Sequence, residues 1–304
     1  MSGTGHGTGQ TLTQAQVGAN GLTFGYLEAG PADGPLALCL HGFPDAAPTW
    51  RYLLPALAEA GYHAVAPWLR GYAPTTVPED GHYQSEVVGL DACALHAALG
   101  GRDDAVLIGH DWGALAAYAA VHDPGTTWRR AVTMAVPPPA TVAESFFSYD
   151  QLRRSWYMFL FQHPLAEMAV AMDDLAFIDR LWADWSPGYD AAEDLPAVKD
   201  ALRDPANLAA AIGYYRATLS GVGLDDSPEV TALQAAAGQT PRLPMLYLHG
   251  RDDGCMGADL AAGARTVLTH PGSRVEILDD AGHFLHVERP DAVNRLVLDF
   301  LAEG

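Results

Sequence analysis

A chain of 304 residues with 49% hydrophobic side chains is long enough to bury a full core, as one large domain or as a core with an inserted subdomain. Its 37 acidic against 17 basic side chains give a net charge of -20, which repels phosphate backbones and anionic lipid and argues against nucleic acid as a partner. The apolar runs break within about ten residues, short of the roughly 20 needed to cross a bilayer, so no membrane span is expected.

Residues 1–20 are rich in Gly, Thr and Gln, lack the charged-then-apolar order of a signal peptide, and are expected to form a flexible leader. Short β-type runs then alternate with helical stretches, the pattern of a mostly parallel sheet covered on both faces. The expected strands are Leu22 to Leu27, Leu36 to Leu40, His63 to Pro67, Ala105 to Ile108, Ala131 to Ala135, Met245 to His249 and Val275 to Leu278. Between Pro137 and about Arg242 no such run recurs. Ser145 to Met172, Leu175 to Trp185 and Leu208 to Leu219 read as helices there, so 137–240 is expected to be an inserted helical lid on an α/β core of 21–136 and 241–304. Cys39, Cys93 and Cys255 are odd in number and widely spaced, and are read as reduced packing residues of a cytoplasmic protein. The only lysine, Lys199, lies in a charged stretch and is set aside as a Schiff-base candidate.

Directly after the run Ala105 to Ile108 comes Gly109-His110-Asp111-Trp112-Gly113, a Gly-x-nucleophile-x-Gly elbow in which aspartate replaces the usual serine. A carboxylate that attacks carbon forms an ester whose acyl carbon belongs to the protein, which suits displacement at an sp³ centre, as in opening an epoxide or expelling a halide. After Leu36 to Leu40 comes His41-Gly42-Phe43-Pro44, and the backbone amides of Phe43 and Trp112 form the two-donor oxyanion hole that this elbow geometry expects. Gly250-Arg251-Asp252-Asp253 and Gly282-His283-Phe284 follow the last two strands, giving the order nucleophile, acid, histidine. His283 is the expected base. Asp253 is favoured over Asp252 as its orienting carboxylate, because that group usually falls three residues after the strand-ending glycine. His110 is expected to point into packing, and His286 to stand behind the site.

With these motifs and Arg70-Gly71-Tyr72, the chain resembles the α/β-hydrolase-fold epoxide hydrolases over nearly its whole length from about Gly21. The resemblance implies two lid tyrosines that donate to the epoxide oxygen. The stretch Trp156-Tyr157-Met158-Phe159-Leu160-Phe161-Gln162-His163-Pro164 matches the first site at Tyr157, and the Tyr215-Arg216 pair matches the second at Tyr215, with Tyr214 as adjacent competitor. The need for such an acid stands without the family: ring opening leaves an alkoxide, and a phenol of pKa about 10 is protonated at neutral pH yet able to give up its proton. The expected reaction converts an apolar epoxide to a vicinal diol, with Phe43, Trp112, Phe161 and Trp185 as substrate-binding walls. A haloalkane dehalogenase using Asp111, His283 and Asp253, with Trp112 and Trp185 as halide donors, is the alternative. Neither reaction requires a metal or organic cofactor, and no ligand-type spacing is visible. The sequence admits a homodimer without specifying one.

Overall fold

The computed structural model describes residues 11–237 and 239–303. One eight-stranded sheet forms the centre, in the order β1-β2-β4-β3-β5-β6-β7-β8. The strands are β1 (Thr13–Ala19), β2 (Leu22–Ala29), β3 (Leu36–Leu40), β4 (His63–Pro67), β5 (Val106–His110), β6 (Arg130–Met134), β7 (Met245–Gly250) and β8 (Arg274–Leu278). The two pairings that involve β2 are antiparallel and the rest are parallel. Strands β3 to β7 are buried at every position, as strands must be when helices cover both faces, and for that reason they read as continuous apolar runs.

Between the core strands β3 to β6 lie α1 (Leu53–Glu59), α2 (Ser85–Ala98) and α3 (Trp112–Ala120). Between β6 and β7 the chain builds α4 (Pro139–Ser145), α5 (Tyr149–Arg154), α6 (Trp156–Leu160), α7 (Ala166–Trp185), α8 (Leu195–Leu202), α9 (Pro205–Ser220) and α10 (Pro228–Ala236). Helices α11 (Ala258–Val267), α12 (Leu285–Glu288) and α13 (Pro290–Ala302) complete the core. Among the described residues no helix is long and apolar enough to cross a membrane.

Two expectations need correction. The supposed leader is in part a strand: Thr13–Ala19 pairs along its whole length with β2, from Thr13 opposite Glu28 to Ala19 opposite Leu22. Asn20 and Gly21, both with positive φ, make the two-residue hairpin turn that favours Asn-Gly. Residues 1–10 of the leader lie outside the described residues. The helix expected over Ser145 to Met172 is broken into short pieces. Ser148 caps α5 by accepting from the Gln151 amide, and Ser155 separates α5 from α6. Within α7, residues 172–175 leave helical geometry, which matches the expected break between Met172 and Leu175.

The sheet order places the site. From β3 the chain crosses to β4 on one side, then returns to β5 on the other, so β3 and β5 are neighbours at a reversal of strand order. Open α/β sheets bind ligands outside the carboxyl ends of such strands, because the connecting segments diverge there. Leu40 and Gly109 are register partners at this point, and the next residues are His41-Gly42-Phe43 and His110-Asp111.

Candidate active site

Asp111 sits between β5 and α3 at φ 52° and ψ -115°, a strained conformation for a residue with a Cβ, which turns the chain from strand into helix and lifts the carboxylate above the sheet. Close packing keeps it there. A Cβ on Gly109 would lie 2.1 Å from the carbonyl oxygen of Gly113, and one on Gly42 would lie 2.3 Å from Asp111 Cβ. The Phe43 amide donates to Asp111 Oδ1 at 2.8 Å, so one of the two expected amides reaches the carboxylate; Trp112 begins α3 directly behind it. The Phe43 turn is itself held by His41. The Leu69 amide donates to His41 Nε2 at 3.0 Å, which leaves Nδ1–H to donate to the Gly42 carbonyl at 2.8 Å.

His283 lies in the loop between β8 and α12, fully buried, with Nδ1 3.0 Å from Asp253 Oδ2 and Nε2 3.6 Å from Asp111 Oδ2. Asp253 is buried and its other oxygen accepts from the amides of Cys255 at 2.7 Å and Met256 at 2.8 Å, while Asp252 is exposed. The geometry thus distinguishes the two candidates. Burial alone would lower the His283 pKa, but the charge of Asp253 and the contacts with Asp111 outweigh it and hold the imidazole up at about 10. Burial would likewise raise Asp111, and the His283 bond and charge, His110 and the Phe43 amide together hold it below its usual value.

The carbonyl of Trp185, the last residue of α7, accepts from the amides of both Gly254 at 3.0 Å and His283 at 3.0 Å. One oxygen of the inserted helices therefore ties together the loop that bears Asp253 and the loop that bears His283.

Above Asp111 is a cavity of about 540 Å³, floored by Asp111 and Trp112 and walled by Tyr157, Tyr215 and Cys255. The rest of its lining is mainly apolar, including Leu115, Val142, Phe146, Met158 and Leu219. The Tyr157 hydroxyl lies 3.5 Å from Cys255 Sγ. The Tyr215 hydroxyl and Trp112 Nε1 are buried without a hydrogen-bond partner of good geometry. Burial, reinforced by the nearby Asp111 charge, pushes both phenols well above their usual pKa, so both are neutral donors at pH 7. Tyr214 points elsewhere: its hydroxyl donates to the Arg70 carbonyl at 2.9 Å, and Arg70 forks onto buried Asp91 at 2.6 and 2.7 Å. Tyr215 is held towards the cavity because Gln162 Nε2 donates to its carbonyl at 3.1 Å and Arg216 reaches the Phe161 carbonyl at 3.0 Å and Glu167 Oε2 at 3.0 Å.

Three of the four expected substrate walls stand one layer back. Phe43 and Phe161 meet edge to face at 5.5 Å and both pack against Tyr215, at 5.2 and 5.0 Å between ring centroids, and Trp185 packs on Tyr157 at 4.9 Å and His283 at 5.0 Å. Trp112 alone of the four lines the cavity. They support the lining side chains instead of forming it. Cys255, read from sequence as packing, is part of the wall; its only cue was its position two residues after Asp253.

Two buried groups of metal-ligating types occur among the described residues: Asp253, Cys255 and His283, and Asp45, His110 and His286. In the second, Asp45 Oδ2 is 3.7 Å from His110 Nδ1 and 3.9 Å from His286 Nε2. That spacing is wider than the roughly 3.4 Å set by zinc–ligand bonds of ~2.0–2.1 Å. His110 instead holds the backbone of the neighbouring loop, with Nε2 2.9 Å from the His283 carbonyl.

A mostly parallel sheet in this order, with a strained elbow at the reversal point and its partners after the last two strands, defines an α/β-hydrolase with aspartate at the elbow. The chain belongs to the alpha/beta hydrolase family, whose model matches residues 37–296. Within that family it stands with the α/β-hydrolase-fold epoxide hydrolases. It is 30% identical to epoxide hydrolase A of Mycobacterium tuberculosis over 95% of this chain and 97% of the relative. Epoxide hydrolase 3 of Xenopus tropicalis is 31% identical, over 93% of this chain and 76% of the relative. The crystal structure of epoxide hydrolase A from Mycobacterium thermoresistibile superposes with a TM-score of 0.80 at 27% identity, covering 96% of this chain and 98% of that one.

Proposed function

We propose that this enzyme hydrolyses an apolar epoxide to a vicinal diol through an alkyl ester on Asp111, with residues 137–240 acting as a cap over the core. The observation that carries the reading is the facing of one ionised carboxylate by two neutral phenols, Tyr157 and Tyr215, across a largely apolar cavity. A cavity of about 540 Å³ is of the size that encloses a small organic substrate.

In the first step a carboxylate oxygen of Asp111 bonds to an epoxide carbon, the carbon–oxygen bond of the ring breaks, and the departing oxygen takes a proton from a phenol. Esterification removes the Asp111 charge. That withdraws one of the two carboxylates that hold the His283 pKa up, so the imidazole becomes available as a base at the step that needs one. The imidazolium proton then passes to the phenolate, which restores the neutral phenol and the neutral imidazole. In the second step His283, oriented by Asp253, removes a proton from water, and the water oxygen adds to the carboxyl carbon of Asp111. The Phe43 amide, with that of Trp112, stabilises the oxyanion. Collapse releases the diol and leaves one solvent oxygen in the Asp111 carboxyl.

Halide displacement would share Asp111 and His283 but needs ring N–H donors around the leaving anion. Trp112 offers one, whereas the expected second donor, Trp185, packs behind Tyr157 and outside the cavity lining. The epoxide reading is therefore preferred. Single-turnover hydrolysis of styrene oxide in ¹⁸O-water tests it: the first diol should carry no solvent oxygen, and the label should accumulate in Asp111 over many turnovers. Labelled diol in the first cycle would remove the ester from the scheme.

A further inference from the structure

We propose that Cys255 is a positioning residue for the ring-opening step, its thiol donating to the Tyr157 hydroxyl oxygen so that the phenolic hydrogen is left free for the epoxide. The inference rests on the reaction proposed above and concerns a side chain to which that reaction assigns no part. Cys255 Sγ lies 3.5 Å from the Tyr157 hydroxyl, and both side chains are buried in the wall of the cavity that contains Asp111. In the same wall the Tyr215 hydroxyl is buried and has no partner of good geometry. The two phenols are therefore in unequal settings, Tyr157 beside a thiol and Tyr215 beside the Trp112 indole.

The chemistry of the tether matters. A carboxylate or carbonyl in this place would accept the phenolic hydrogen and hold it away from substrate. A thiol is a weak acceptor, so it competes poorly for that hydrogen, and it can serve as donor while it keeps its proton. Burial does keep it protonated, pushing the Cys255 thiol well above its usual pKa. As Tyr157 gives up its proton, the S–H group faces a phenolate, and hydrogen bonds to ionised oxygen are the stronger kind. The thiol thus aims the acid, while burial, with Cys255, Tyr215 and Asp111 alongside, keeps the proton on Tyr157 until the epoxide oxygen draws it off.

The backbone fixes the thiol from two sides. Asp253, which orients His283, accepts from the Cys255 amide at 2.7 Å. Gln151 of α5 donates to the Cys255 carbonyl at 2.9 Å and accepts from the Gly257 amide at 3.1 Å. One short turn therefore links the partner of the base to the partner of the acid, and clamps both to the inserted helices.

The test measures ester formation alone, in full-length enzyme carrying His283→Gln, by following the mass gain on Asp111 after addition of styrene oxide. Cys255→Ala should slow that gain by about tenfold, and should slow it by less than about twofold further when Tyr157→Phe is already present. Equal slowing in both backgrounds would reduce Cys255 to packing and overturn the proposal, as would no slowing in either. No adduct even with Cys255 intact would instead overturn the ester mechanism and this proposal with it.

Discussion

The core and the inserted helices supply opposite kinds of group, and they hold them by opposite means. Asp111, His283 and Asp253 are charged or chargeable groups, and each stands on a turn at the end of a strand and is bound by amides or by one another at 2.7 to 3.0 Å, with the longer 3.6 Å contact between His283 and Asp111. Tyr157 and Tyr215 are neutral, and their side chains are set chiefly by ring packing, Tyr157 against Trp185 and Tyr215 against Phe161, Phe43 and Trp112, with hydrogen bonds mainly to the backbone that carries them. Buried charges need dense hydrogen bonding to be tolerated, whereas a neutral phenol can be placed by its ring. The lesson is a division in which the sheet holds the charged groups and the helices hold the neutral ones.

Substitutions that reach the core should therefore act hardest. Asp111→Asn should lower turnover by about 10,000-fold or more and abolish the covalent adduct, read by steady-state rates and intact mass. In that variant the His283 titration, followed by NMR, should fall from about 10 towards its ordinary 6.5, because one of its two carboxylates has gone. The stability contribution of a raised imidazole is complete below about 6.5 and is lost as pH climbs towards 10, so the wild type should show the steeper decline in unfolding midpoint over that window. An unchanged His283 titration would break the claim that the elbow charge governs the base.

On the helical side, Tyr215→Phe and Tyr157→Phe should each slow ester formation by ~100-fold while leaving hydrolysis of a preformed ester nearly intact, measured by stopped-flow phases. Equal loss in both phases would blur the division between the two regions. The smallest expected effect belongs to the neighbouring position. Tyr214→Phe should cost about 1–2 kcal/mol of stability, from the hydrogen bond to the Arg70 carbonyl, with ester formation changed less than about twofold.

The sequence carries the core half of this arrangement more completely than the helical half, for a physical reason. Strands buried on both faces announce themselves as apolar runs, and the residues that follow them must lie at one edge of the sheet, so Asp111, Asp253 and His283 were found together from order alone. Strand β1 escaped because its sequence, Thr13–Ala19, is polar and faces solvent at the sheet edge; the Asn20-Gly21 turn was its one strong signal. In the inserted helices, aromatics recur so often that ring layers cannot be ordered by spacing. Phe43, Phe161 and Trp185 were expected in the wall and stand behind it, while Cys255 stands in it. The side of a helix that meets substrate depends on its packing angle against other helices, which no local pattern encodes.

The shared Trp185 carbonyl bears on how the molecule admits its guest. A hinge that lifted the carboxyl end of α7 away from the sheet would strip the amides of Gly254 and His283 of their common acceptor and leave both loops unanchored. The joint between the inserted helices and the core is thus braced at the single atom where the two loops meet.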